Sequence, residues 1–293
     1  MGGGLRQILC HPAHVGTSAS PVKLANIIYF SIMNKHRRNK IAKLKQLNFA
    51  TRQKFHFDKK RAEEYEKAHD YRAKTFNWMV KTIHPYLIHT KSALDVGTGT
   101  GDLVRAIKIN GIYTGIDISK DMLTVARKNC AYGNFMVGNA YSLPFENEKF
   151  EAITYKYALH HLNKPLDSLI EAYRVLKEDG IIFIADVASF ENEAHHLIFK
   201  KLNRLREPAN YEYRTIKTIT GLVRRAGFRN IKVIKKDFNL VLEDWLSYFY
   251  EPKKTTCLVL NSSTSFRKAV KLKTIADQKH QITLTSFVIK AKK

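Results

Sequence analysis

An apolar strand that runs straight into three alternating glycines and then into a helix start limits this chain's fold more than any other stretch. Residues 93–103 read ALDVGTGTGDL. Gly97, Gly99 and Gly101 let the backbone turn sharply, lie close against a ligand and enter a helix without Cβ clashes. A nucleotide-type cofactor loop at the carboxyl end of a strand is therefore expected. The dinucleotide fingerprint needs G-x-G-x-x-G, and here the position of its third glycine carries Asp102, which weakens an NAD reading. Asp95 and Asp102 bracket the loop. Two carboxylates oppose a pyrophosphate and suit a ligand bearing a sulfonium and an ammonium. S-adenosylmethionine is such a ligand.

The D-x-G-x-G-x-G loop resembles the first motif of the class I S-adenosylmethionine-dependent methyltransferases, and the segments after it resemble that family in order. Residues 112–117, IYTGID, form a second short strand ending at Asp117, which is placed to accept both ribose hydroxyls. Ser119 can cap a helix whose apolar face uses Met122, Leu123, Val125 and Ala126. Residues 135–140 are the expected third strand. By resemblance, Asn139 stands where the family usually has the Asp that meets the adenine amino group; Asn keeps an acceptor oxygen and loses the charge. The LPF at 143–145, the FEAITYKYALHHL at 150–162 and the AYRVLKEDG turn at 172–180 look like stretches of the ubiquinone/menaquinone biosynthesis methyltransferase group. A fifth strand at 181–187, the REPANY at 206–211 and a helix at 216–226 extend the match, which spans residues 65–250. The resemblance implies an α/β, Rossmann-like, seven-stranded and mostly parallel sheet with helices on both faces and an antiparallel last strand at 282–289. It also implies an S-adenosyl-L-methionine site drawn from Asp95, Gly97, Thr98, Gly99, Gly101, Asp117, Ile118, Met122, Asn139, Ala140, Tyr155 and Lys156. No metal is expected.

The 293 residues, 44% of them hydrophobic, suffice for one α/β domain with a full core. The formal net charge of +24 is unevenly placed. Residues 1–57 hold ten Lys and Arg and no acid, residues 58–190 are nearly balanced, and residues 253–293 hold ten basic residues against Asp277. Residues 1–57 are thus expected to be a disordered or targeting extension, and residues 58–293 the methyltransferase domain. Within that domain, residues 58–90 read as a helical lead-in, 91–188 as the cofactor core, and 189–214 and 240–280 as substrate-side insertions. Basic ends suit loose contact with an anionic membrane or nucleic acid, or a merely solvated surface. Cys10, Cys130 and Cys257 are odd in number and lack a C-x-x-C pattern, so reduced thiols and a cytoplasmic location are expected, or an organelle if the first 57 residues are a transit segment. The longest apolar run near the start, residues 24–33, is too short to span a bilayer.

Methyl transfer from a sulfonium mainly requires alignment of acceptor, methyl carbon and sulfur. A phenolic oxygen or activated ring carbon must also lose a proton, and His160 and His161, just past the fourth strand, are candidate bases; packing is the competing role for either. Tyr65 and Tyr71 of the lead-in are candidate covers over the cofactor. His195 and His196 have no Cys or acidic partner at metal-ligand spacing. After the fourth strand the chain reads YKYA in place of the N-D-P-P-Y type motif of exocyclic-amine nucleic-acid methyltransferases, and no Pro-Cys nucleophile is present. A small, hydrophobic or quinone-like acceptor is therefore expected, held by residues 188–214 and the aromatic cluster of Trp245, Tyr248, Phe249 and Tyr250. The same residues could instead form a second small core. An RNA methyltransferase, or a non-catalytic S-adenosylmethionine-binding protein with basic arms, is the alternative.

Overall fold

The computed structural model describes residues 57–67, 69–247 and 251–293, with side chains described outside residues 65–72. Residues 1–56, the side chains of Tyr65 and Tyr71, and residues 248–250 lie outside that description. Two helices, α1 (Lys59–Lys67) and α2 (His69–Leu87), lead into strand β1 (Ser92–Val96). Short α3 (Asp102–Ala106), β2 (Ile112–Asp117), α4 (Lys120–Asn129) and β3 (Asn134–Val137) follow. The chain then crosses to β4 (Phe150–Lys156), α5 (Pro165–Val175) and β5 (Leu176–Val187). Beyond it come α6 (Glu193–Arg206), α7 (Ile216–Arg225), β6 (Arg229–Val241), α8 (Leu242–Ser247), α9 (Pro252–Leu260), α10 (Thr264–Ala269), β7 (Lys273–Thr274) and β8 (His280–Lys292).

The sheet runs β3-β2-β1-β4-β5-β8-β6. Its first five strands are parallel, and β8 enters antiparallel between β5 and β6. The expected antiparallel last strand is thus present. The strand count is eight rather than seven, because the two residues of β7 fold back to pair with Gln281 and His280 at the start of β8.

Alternation along the strands sorts the core onto two faces, since successive side chains point to opposite sides of a sheet. Leu94, Ile153, Ile182, Ile184 and Ile289 join Leu169, Val175, Ile219 and Val223 of α5 and α7 on one face. Ala93, Ala152, Phe183, Ala185 and Val288 join Met79, Ile83, Leu103 and Leu123 of α2, α3 and α4 on the other. Both faces being covered explains why β1, β4 and the second half of β5 are buried at successive positions. Each fully buried Leu or Ile contributes about 1.5–3 kcal/mol. A third cluster lies beyond the carboxyl ends of the strands, where Phe199, Leu202, Tyr213, Trp245, Leu246, Val259 and Phe266 pack on Ile282 and Leu284. The two insertions therefore do build a second small core.

Local chemistry sets the helix starts. Ser119, Asn192 and Thr215 each accept the backbone N–H three residues on, from Met122, His195 and Thr218, worth about 1 kcal/mol apiece. The third strand ends at Val137, short of the expected Ala140, because the Asn139 side chain accepts the Tyr141 N–H and forms a local turn that competes with the ladder. One cysteine expectation is corrected. Cys130 is free and buried, but Cys257 is disulfide-bonded, its partner lying outside the described residues. Among the described residues no helix is long and apolar enough to cross a membrane.

Candidate functional site

At the carboxyl end of β1 the chain turns through Gly97, Gly99 and Gly101 at φ of 72°, 57° and 76°, a left-handed region that L side chains resist. A Cβ on Gly97 would stand 2.7 Å from that of Ala158, and one on Gly101 would stand 2.9 Å from the Phe135 ring, whereas one on Gly99 would meet nothing within 4 Å. The first and third glycines are therefore demanded by packing. Gly99 faces open space, a cleft enclosing about 1070 Å³, part of it open to solvent.

Ten of the twelve residues expected at the cofactor site line this cleft: Gly97, Thr98, Gly99, Asp117, Ile118, Met122, Asn139, Ala140, Tyr155 and Lys156. The Asp117 carboxylate accepts the N–H groups of Gly99 and Ser119, each at 2.9 Å, and so ties the glycine turn to the end of β2. Burial raises its pKa and those backbone donors oppose the rise. Asp95 and Gly101 do not reach the cleft. Asp95 is fully buried beneath the loop, where the Thr154 hydroxyl donates to it at 2.7 Å. Burial pushes its pKa from 3.8 to about 6, against the opposing Thr154 hydrogen bond and the Lys156 charge. The carboxylates do not bracket the loop as two free negative charges, because the buried Lys156 ammonium lies 2.8 Å from Asp102. The fold neutralises half of the charge that the sequence placed there.

Phe57 forms one wall of the same cleft. Its carbonyl accepts the Ser119 hydroxyl, and its ring meets the His161 imidazole edge-on at 5.0 Å. The Lys59 N–H donates to Asp121 at 3.0 Å, which fastens the start of α1 to α4. Phe57 falls within the stretch read as the extension, and no periodic or motif signal distinguishes it. Tyr157, at φ 51°, is a non-glycine left-handed residue where β4 ends; backbone strain of this kind concentrates at functional sites.

A second cavity of about 750 Å³ adjoins the first, and Tyr157 and His161 line both. Its walls come from the third core cluster and the sheet end: Phe199, Tyr213, Phe238, Leu240, Trp245 and Leu284, with His160, Arg206 and Glu207. The Arg206 guanidinium lies 4.7 Å over Trp245, and its NH2 group donates to the Tyr213 hydroxyl at 3.1 Å. His160, His161 and Glu207 bring ligand atoms within 4.8 Å of one another. The arrangement is poor for a dication, since Arg61 at 3.4 Å and Arg206 at 3.6 Å already set two positive charges against Glu207. His195 and His196 sit apart on α6, bonded to Ser265 and to Ser189 and Glu212.

Known proteins share this arrangement. Residues 94–184 match the model of the methyltransferase domain. An uncharacterized protein of Methanocaldococcus jannaschii, MJ1123, is 30% identical over 184 residues, covering 62% of this chain and 85% of the relative. Residues 94–184 thus form a methyltransferase domain. The demethylmenaquinone methyltransferase of Thermotoga maritima is 34% identical over 114 residues, which span 38% of this chain and only half the length of that relative. The crystal structure of the YcgJ protein from Bacillus subtilis has the same fold, with a TM-score of 0.67 at 24% identity over 75% of this chain and 98% of that one.

S-adenosylmethionine, the cofactor that such a methyltransferase domain implies, suits the first cavity. A Cβ-free loop backbone faces open space at Gly99, a two-oxygen carboxylate stands at the end of β2, and Ile118 and Met122 offer apolar surface to a flat base. The Asn139 side-chain oxygen already accepts the Tyr141 N–H, so one of its two lone-pair directions is left for an amino group. Tyr155 can present only its ring to the cleft, because its hydroxyl is buried against Ser168 at 2.8 Å.

Proposed function

We propose that this chain transfers a methyl group from S-adenosylmethionine to a small, hydrophobic, quinone-like acceptor. One observation carries the reading: the cofactor cleft adjoins a second cavity walled mainly by aromatic and aliphatic side chains, and Tyr157 and His161 line both. A reacting atom in the second cavity then stands beside a methyl group in the first, and proximity supplies much of the rate. The demethylmenaquinone methyltransferase relative, whose name specifies a quinone-type substrate, supports the acceptor class.

When bound, S-adenosylmethionine supplies a methyl group activated by a sulfonium. The chain's own residues hold and exclude. Asp117 would take the ribose hydroxyls, the 97–101 turn and Lys156 the amino-acid end, and Asn139, Ile118 and Met122 the base. Phe57 and Tyr157 would limit water at the junction, which strengthens electrostatic alignment.

Calorimetry tests the cofactor half. Wild type is expected to bind S-adenosylmethionine, and Asp117→Ala to weaken binding by about 1–3 kcal/mol through lost charge-assisted bonds. Equal affinity in the two proteins would refute the ribose assignment. Incubation with isotopically labelled S-adenosylmethionine and reduced 1,4-dihydroxynaphthalene tests the acceptor half, the expected product being a labelled methyl-naphthalenediol or its methyl ether.

A further inference from the structure

The two histidines of the turn after β4 differ in what stands behind them. His160 is 4% exposed, and its Nδ1 lies 2.9 and 3.0 Å from the two carboxylate oxygens of Asp186, itself 1% exposed near the end of β5. A carboxylate only accepts hydrogen bonds, so Nδ1 carries the proton and Nε2 of the neutral ring keeps its lone pair. The ring is fixed in place. It stacks on Tyr213 at a centroid distance of 4.1 Å, and its backbone carbonyl accepts the N–H groups of Tyr211 and Glu212 at 3.1 and 3.0 Å. Asp186 is fixed as well, because its Oδ1 accepts the Val187 N–H at 2.8 Å. His160 lines the second cavity and not the cofactor cleft. His161 offers a weaker arrangement, since its Nδ1 faces the Ala209 carbonyl at 3.4 Å. A carbonyl can orient a ring, but it stabilises the imidazolium created by proton uptake far less than a buried carboxylate does.

We propose that His160, held by Asp186, is the general base of this chain, and that its acceptor therefore carries an ionisable hydroxyl on an aromatic ring. The inference rests on the methyltransferase reading above. His160 Nε2 takes the hydroxyl proton, and the oxygen pair, or the ring carbon it activates, forms the bond to the methyl carbon. The carbon–sulfur bond breaks with its electron pair retained by sulfur, leaving a neutral thioether. For transfer to oxygen, the imidazolium then returns its single proton to solvent. For transfer to carbon, the ring C–H proton is lost as the oxygen regains one and aromaticity is restored, so here too one net proton leaves through the base to solvent. Asp186 touches neither substrate nor cofactor and acts as a positioning residue.

Nitrogen NMR of histidine-labelled protein, saturated with S-adenosylhomocysteine, reads the tautomer without any substitution and without any acceptor. His160 is expected as the Nδ1–H form, changed in Asp186→Asn and unchanged in His161→Gln. Steady-state turnover of reduced 1,4-dihydroxynaphthalene is the second readout. His160→Gln is expected to lower kcat by about 10²–10⁴-fold, with KM and S-adenosylhomocysteine affinity within about threefold of wild type, and Asp186→Asn to lower kcat on the order of 10²-fold. An Nε2–H tautomer in the wild type, or a His160→Gln variant with wild-type kcat, overturns the dyad. A wild type that binds S-adenosylhomocysteine and shows the Nδ1–H tautomer, yet methylates no dihydroxynaphthalene, supports the dyad and refutes the quinol-like acceptor.

Discussion

Replacing Asp95 by Asn should remove the pH dependence that one buried carboxyl imposes on this fold. Asp95 is fully buried, accepts a hydrogen bond from the Thr154 hydroxyl, and has its pKa pushed from 3.8 to about 6. Its proton is therefore held more tightly in the folded chain than in the unfolded one. The sign follows from linkage: the folded state binds more protons between these two values, so stability falls as pH rises through that window and the penalty is complete above it. A shift of about two units corresponds to about 3 kcal/mol, of which about half develops between pH 5 and pH 8. Asn is isosteric, can still accept from Thr154, and does not titrate. Urea unfolding of the ligand-free proteins measures the difference directly. The stability of Asp95→Asn minus that of wild type should rise by on the order of 1 kcal/mol from pH 5 to pH 8, whatever its absolute value. A flat difference would mean that Asp95 titrates normally, and a falling one that its charged form is favoured by the fold; either result refutes the reasoning.

The glycines of the turn should separate by cause. Gly97→Ala combines a 2.7 Å approach to Ala158 with a positive φ and should cost about 1–3 kcal/mol in thermal or urea unfolding, while Gly99→Ala carries only the backbone strain of about 1–2 kcal/mol. Gly99→Val should keep the fold and lose S-adenosylmethionine binding in calorimetry, because its side chain would enter the cleft. Equal effects of Gly97→Ala and Gly99→Ala on both stability and binding would disprove this division. Lys156→Met removes the cation beside buried Asp102 and should cost about 3–5 kcal/mol, most of it recovered in the Lys156→Met/Asp102→Asn double variant. Additive losses measured by chemical denaturation would show that the pair is not coupled.

The alternation of Gly97, Gly99 and Gly101 after an apolar strand determined the cofactor loop by itself, while most of the expected lining came from the family resemblance. Only a few conformations satisfy that local pattern, so short-range stereochemistry was enough. The parallel sense of the first five strands followed as well, since β-strands alternating with helices force parallel neighbours and right-handed crossovers; their order in the sheet did not. Ion pairing was not legible, because Lys156 and Asp102 are separated by 53 intervening residues and meet only through the β1–β4 pairing. For the same reason His160 and His161 looked alike in the sequence. Asp186 distinguishes them, and it arrives from β5, a neighbouring strand whose register with β4 sets Lys156 opposite Ala185. Phe57 reaches the cleft through the docking of α1 on α4. Local sequence thus decided where the backbone bends and binds, and tertiary structure decided which charges face each other, because electrostatic partners are chosen by distance in space and not along the chain.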